Sequence, residues 1–277
     1  MARERRNARL MSDTAQPPER TDSGAPPKRP NNLVGLGLLA LFVGLGGLLT
    51  RDAAAGSPAT FGFVLTGWIL AVMAHEFAHA WVAYRGGDWT VKVKGYLAFD
   101  PRRYGDLGTS LVIPLLALAL GGIGFPGGAV YLRNDLMRGP GWRAAASLAG
   151  PVATLLVLIL IALLLNLWVR AALPNALFAA LAMLAFLQAT ALVLNLLPVP
   201  GLDGFNAIRP FLPPGAAKVV ARYEGLAMLA LLGLLLMVPG FGGLLFGTAA
   251  GIAGALGVPG SAISEGWDAF HFWRAPG

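Results

Sequence analysis

The sequence is dominated by apolar runs that are each about as long as a bilayer is thick. They lie at residues 33–50, 60–84, 108–125, 142–169, 175–197 and 223–258. A helix needs about 20 apolar residues to cross the hydrocarbon core of a membrane. Only 13% of the residues are charged, against about a quarter in soluble domains. The sequence therefore excludes a soluble fold and predicts an all-α polytopic membrane protein with about six transmembrane segments.

Two of the runs contain helix breakers. The run at 108–125 includes Pro114, Gly121, Gly122 and Gly124, which favours a re-entrant or interfacial segment over a full crossing. The last run is interrupted by Pro239 and the glycines that follow it, and this predicts two shorter segments. Residues 91–94 alternate Val and Lys, and residues 127–132 form a second candidate extended stretch. Both are predicted to be short β-strands beside the polar motif described below.

The composition divides the chain into three predicted parts. Residues 1–32 are rich in Arg and Pro and predict a disordered cytoplasmic tail. Residues 33–258 form the predicted transmembrane domain, and residues 259–277 a C-terminal tail. The net charge is +7; seven of the 21 basic residues lie in the first 29 residues and the others flank apolar runs, without an aromatic-interleaved basic patch. The predicted partner is a lipid bilayer and not nucleic acid, and no pattern predicts an oligomeric state.

A HExxH motif lies inside the second apolar run, from His75 through Glu76 to His79. On a helix, residues four apart project from the same face, so the two imidazoles can bind one metal ion. Glu76 lies beside them and can take a proton from a water at that ion. An ionisable group at membrane depth costs about 2 to 3 kcal/mol or more unless it faces a polar interior. The motif therefore predicts a zinc hydrolase site within the membrane.

A third metal ligand is needed, and Asp203 is the candidate. It follows the fifth apolar run in the segment NLLPVPGLDG, residues 195–204. Prolines there end the helix, so that unwound chain can present the carboxylate to a cavity. On spacing alone, the same segment also fits an ordinary loop. The chain has no cysteine, so any metal must be held by His, Asp or Glu.

HEFAH in a membrane helix, together with NLLPVPGLDG, resembles the site-2 protease family of intramembrane zinc metalloproteases. The likeness covers most of residues 60–210. Two further pieces are similar: residues 149–153 (AGPVA) resemble the family's AGP helix start, and residues 125–130 (FPGGAV) resemble its glycine-containing strand. The chain is similar to the short members of the family, which have no PDZ or CBS domain.

The resemblance implies a role for each matching residue. His75, His79 and Asp203 would bind one zinc ion per chain, and Glu76 would be the general base and acid. Asn195 would contact the substrate or the developing oxyanion. A structural role for Asn195, as an amide that bonds between helices, stays open.

The sequence thus predicts a protease that cleaves membrane-protein or peptide substrates in or near their transmembrane segments. Loops at 85–141 and 198–222 carry an excess of basic residues, which predicts an active site toward the cytoplasmic side. The abundance of Gly, Ala and Arg predicts a bacterial plasma membrane. Two alternatives stay open: a membrane metal transporter, and a pseudoprotease that binds membrane segments without cutting them.

Overall fold

The computed structural model describes residues 32–51, 58–104, 130–170 and 176–273. Within these ranges the chain forms helices and no strand. The helices are α1 (Leu33–Leu49), α2 (Pro58–Gly86), α3 (Thr90–Val93), α4 (Pro140–Arg170), α5 (Ala176–Leu196), α6 (Asp203–Ile208), α7 (Pro214–Met237), α8 (Pro239–Ala255) and α9 (Gly260–Phe270). Single 3₁₀ turns lie at Pro101–Arg103 and Arg209–Phe211.

Four of the described helices are long and apolar enough to cross a membrane: α2, α4, α5 and α7. Helices α1 and α8 are apolar but have only 17 residues each. At 1.5 Å per residue such a helix is about 25 Å long, shorter than a hydrocarbon core of about 30 Å. The all-helical membrane fold is confirmed for the described residues, and the predicted number of about six spans is not.

Helices α2, α4 and α5 pack against one another and form the centre of the bundle. Helix α5 is the most enclosed, because 89% of its apolar window is buried by the rest of the protein. Helix α7 is the opposite case, with 11% of its window buried. The core therefore lies around α5, and α7 presents most of its apolar surface to its surroundings.

The ends of the central helices show their relative directions. The N–H of Arg138 donates to the carbonyl of Gly86 (2.9 Å), so α4 begins where α2 ends. His79, two turns before the end of α2, bonds the carbonyl of Ala146 in the second turn of α4. The chain that leaves α5 brings Asp203 to the same place. Helices α2 and α5 therefore run parallel, α4 runs antiparallel to both, and the ends that meet here are called the site end.

The predicted strand at residues 91–94 is wrong, because these residues form the turn of α3 and its C-cap. Asp88 starts the turn, since its Oδ1 accepts hydrogen bonds from the N–H and the hydroxyl of Thr90 (3.0 and 2.5 Å). Gly95 ends it in the left-handed region at φ +77°. The N–H of Tyr96 then reaches back to a carbonyl five residues earlier, which completes a Schellman cap. These local caps outweigh the alternating pattern.

The loop between α3 and residue 104 closes the site end against α1. The N–H of Gly35 in α1 donates to the carbonyl of Phe99 (3.1 Å), and the N–H of Phe99 donates to Asn32 Oδ1 (3.1 Å). The buried carboxylate of Asp100 accepts two hydrogen bonds from the guanidinium of Arg102 (2.8 and 2.9 Å). This pairing holds the pKa of Asp100 below its usual range.

Several sequence predictions fall partly or wholly outside the described residues. These are the cytoplasmic tail up to residue 31, the re-entrant segment at 108–125 and the stretch at 127–129. Residues 130–132 are described, and they are irregular chain without strand pairing.

The break in the last apolar run lies at Val238, between α7 and α8. The region after residue 259, expected to be a tail, contains α9, whose Phe270 is fully buried.

Candidate active site

The two histidines of the HExxH motif lie side by side on the buried face of α2. Their Nε2 atoms are 3.0 Å apart, and both residues are almost fully enclosed. The helical spacing of four residues brings the rings together, as the motif predicts. Asp203 completes the group, because its Oδ2 lies 3.1 Å from His75 Nε2 and 3.4 Å from His79 Nε2.

The other nitrogen of each ring is held by α4. His79 Nδ1 lies 2.7 Å from the carbonyl oxygen of Ala146. A carbonyl only accepts hydrogen bonds, so Nδ1 carries the proton and Nε2 of the neutral ring presents its lone pair. His75 Nδ1 lies 2.9 Å from the hydroxyl of Thr154. Such outer contacts orient histidine ligands at metal sites.

The approach of Asp203 depends on two glycines of the segment that carries it. Gly201 has φ +101°, a left-handed conformation that permits the turn between α5 and α6. Gly204 has no such angle; instead, a Cβ there would overlap the carbonyl of Leu196 at the end of α5. The first turn of α6 therefore lies directly on the end of α5, and Asp203 reaches the two histidines.

Gly150 in α4 leaves open the space that the two Nε2 atoms face. A Cβ at this position would lie 2.5 Å from His75 Nε2 and closer still to His79 Nε2. Three ligand atoms, one each from His75, His79 and Asp203, lie within 4.8 Å of one another. Two imidazole lone pairs and a carboxylate are the usual donors of a catalytic zinc site. The residues present therefore fit a zinc ion.

The AGP resemblance requires one correction. The segment at 149–153 is not a helix start, because α4 already begins at Pro140 and Pro151 lies inside it. A proline there removes an N–H that would bond the carbonyl one turn earlier. The segment instead contributes Gly150, which lies beside the histidines. Thr154 follows the segment directly. Sequence reasoning missed Thr154, whose only signal was a hydroxyl within an apolar run.

Glu76 lines a cleft of about 740 Å³ at the site end. It is 2% exposed, and its Oε2 accepts a hydrogen bond from the N–H of Val130 (3.2 Å). His79 and Asp203 also line the cleft, together with residues 130–132. A peptide in the cleft would meet Glu76 and the ligand group at one wall.

Asn195 lies in the last turn of α5 and lines a small cavity with His75 and Glu76. It is 4% exposed, and no described residue bonds its Nδ2. All five residues that the sequence singled out therefore lie around one point.

This arrangement defines a class of protein: a helical membrane protein with a buried HExxH metal site. A protein of Mycobacterium tuberculosis that is named as zinc metalloprotease Rip2 is 40% identical over 242 residues, 84% of this chain and 92% of that protein. Its namesake from Mycolicibacterium smegmatis is 41% identical over 217 residues, covering 78% and 82%. YwhC of Bacillus subtilis, also named as a zinc metalloprotease, is 29% identical over 175 residues, covering 59% and 75%.

No family model and no solved structure matches the chain. The sequence identity to the relatives, and the share of each chain that is covered, nevertheless show the family. The chain belongs to the site-2 protease family. It is a zinc-dependent metalloendopeptidase of a bacterial membrane.

Proposed function

We propose that the protein is an intramembrane protease that hydrolyses peptide bonds in or near the transmembrane segments of other membrane proteins. The observation that carries this proposal is the position of Glu76. It lies beside three converging ligand atoms, inside a helix of membrane-spanning length, at the wall of a cleft. A site at that depth suits a substrate that is itself in the membrane.

In this proposal His75, His79 and Asp203 would hold a zinc ion, which would supply Lewis-acid chemistry for the hydrolysis of a peptide bond by water. Glu76 takes the proton of that water and delivers it to the leaving amine nitrogen. The Val130 N–H on Oε2 orients the carboxylate for both transfers. The Asn195 amide carries two N–H donors, and no described residue bonds its Nδ2. One of them contacts the substrate or its developing negative charge, which leaves the other for the small cavity that Asn195 lines with His75 and Glu76.

The substrate must unwind locally before it can react, since a helix in lipid hides its peptide carbonyls in backbone hydrogen bonds. The cleft has a volume of about 740 Å³, and Val130, Tyr131 and Leu132 present irregular chain along it. Lys94 holds this chain in place by donating to the carbonyl of Tyr131 (2.6 Å). The basic residues near the site end favour a cytoplasmic opening.

The test uses detergent-purified protein reconstituted with a single-span membrane substrate. Glu76→Gln should keep one zinc per chain, because Glu76 is not a ligand, and should lose at least about 100-fold in cleavage rate. Glu265→Gln, on the exposed face of α9, is the matched control and should cleave normally. Cleavage retained in Glu76→Gln removes Glu76 from the mechanism. If the wild type transports zinc and does not cleave the substrate, the protein is a transporter. If it binds zinc but shows neither zinc transport nor cleavage, it is a pseudoprotease.

A further inference from the structure

A second cavity lies behind Glu76, deeper in the bundle than the cleft. Its volume is about 20 Å³, enough for one water molecule, which needs roughly 10 to 15 Å³. Its polar lining comes from His75, Glu76, Thr154, Gln188 and Asn195. Glu76 lines both this cavity and the cleft, so its carboxylate forms part of the wall between them.

Two buried amides in this lining have no hydrogen-bond partner among the described residues. Gln188 and Asn195 are 3% and 4% exposed. Asn195 Nδ2 is fully buried and no described residue bonds it. The Gln188 side chain likewise makes no hydrogen bond to a described residue. They are seven residues apart on α5 and therefore share one face. An unsatisfied buried polar group costs about 1 to 3 kcal/mol, and Asn195 Nδ2 would carry that cost if the cavity were dry.

We infer that this cavity binds one water molecule, held by Gln188 and Asn195 against Glu76, and that Gln188 is thereby a positioning residue. The water accepts from the amide N–H groups and donates to the carboxylate. The carboxylate has room for this bond, because the described residues give Glu76 one hydrogen bond, from the N–H of Val130 to Oε2, and none to Oε1. The water fixes the carboxylate from behind while Val130 fixes it from the cleft. The effect on catalysis rests on the proposed function; the water site itself does not.

The test combines an experimental structure that resolves ordered waters with the variant Gln188→Met, which keeps side-chain volume and removes the amide. Bound water predicts density in the cavity and a lower midpoint of unfolding for the variant. It also predicts a kcat about tenfold lower, the scale of outer-shell effects, with zinc content and KM unchanged. Gln188→Asn keeps an amide and should recover part of the lost kcat.

Thr190→Val is the control for lost polarity in the same helix, because the Thr190 hydroxyl already bonds the carbonyl of Phe186 (2.9 Å) and does not line the cavity. It should keep the wild-type kcat. An empty cavity, or a Gln188→Met variant that is more stable and equally active, overturns the water site. Water with unchanged kcat in Gln188→Met overturns the positioning role. If the wild type cleaves nothing, the proposed function fails, while the density and the unfolding midpoint still decide the water site.

Discussion

Gly150→Ala tests whether the two histidines bind zinc in the geometry seen here. The new Cβ would lie 2.5 Å from His75 Nε2, where ordinary contact begins at 3.4 Å. The ring would have to retreat by about 0.9 Å, whereas zinc sites hold their ligand distances to within about 0.2 Å. His79 meets the same Cβ more closely still. The substitution therefore removes two of the three proposed ligands from reach of one ion.

The expected result is a loss of at least about 100-fold in zinc affinity, or about 2.7 kcal/mol of binding free energy. The apo protein should still fold, because displacing side chains in a packed interior costs roughly 1 to 3 kcal/mol and the higher helix propensity of alanine offsets about 1 kcal/mol of it. The effect on the metal is thereby separated from the effect on the helix. Loss of zinc with a retained fold is what distinguishes this prediction from general damage.

The assay is zinc per chain, measured by mass spectrometry after dialysis against a graded chelator, together with the unfolding midpoint of the apo protein. Gly141→Ala is the matched control, because it lies in the first turn of α4 with no atom within 4 Å of its new Cβ. The control should bind zinc as the wild type does. Wild-type zinc affinity in Gly150→Ala would refute the proposed ligand geometry.

Three further predictions concern the ligands and the orientation. Asp203→Ala should lose most of its zinc in the same chelator titration, because only the two imidazoles remain. Thr154→Val should lower zinc affinity by about tenfold without removing a ligand, since His75 loses the partner that orients its ring. The chain has no cysteine, so single cysteines introduced at 135 and 218 should react with an impermeant reagent from the cytoplasmic side and one at 54 from the outside. Labelling of 135 and 218 from opposite sides would contradict the common site end.

The convergence of the candidate site residues was easier to predict from the sequence than the local fold, because the HExxH motif depends only on helix geometry. Spacing of four residues places His75 and His79 on one face whatever surrounds them. Asp203 could be predicted as the third candidate ligand, because the prolines and glycines before it must end α5 and unwind the chain. The predicted strand at 91–94 failed since alternation is a weak signal over four residues, and Asp88 and Gly95 supply stronger local caps.

Other contributors leave no readable pattern in the sequence. Thr154 and Gln188 are single polar residues within apolar runs, and their importance follows from which helix faces them. The group that accepts from His79 is the backbone carbonyl of Ala146, and every residue type has such a carbonyl, so the sequence does not reveal this contact. Gly150 matters because its Cβ is missing at the point where two rings converge. Such roles depend on the packing of α2 against α4, which periodicity alone does not specify.

The burial of α5 explains how polar chemistry is possible at membrane depth in this protein. Gln188, Thr190 and Asn195 all lie on α5 and are all buried, so none of them faces lipid, where a polar group is costly. Helix α9 contributes to this enclosure from the end opposite the site. Gly266 lets it approach so closely that a Cβ there would overlap the carbonyl of Ala179 in α5. Because α7 leaves most of its own surface uncovered, the enclosure of α5 depends on α2, α4, α8 and α9. The segment after residue 259 therefore helps to shield the polar residues of α5 from lipid.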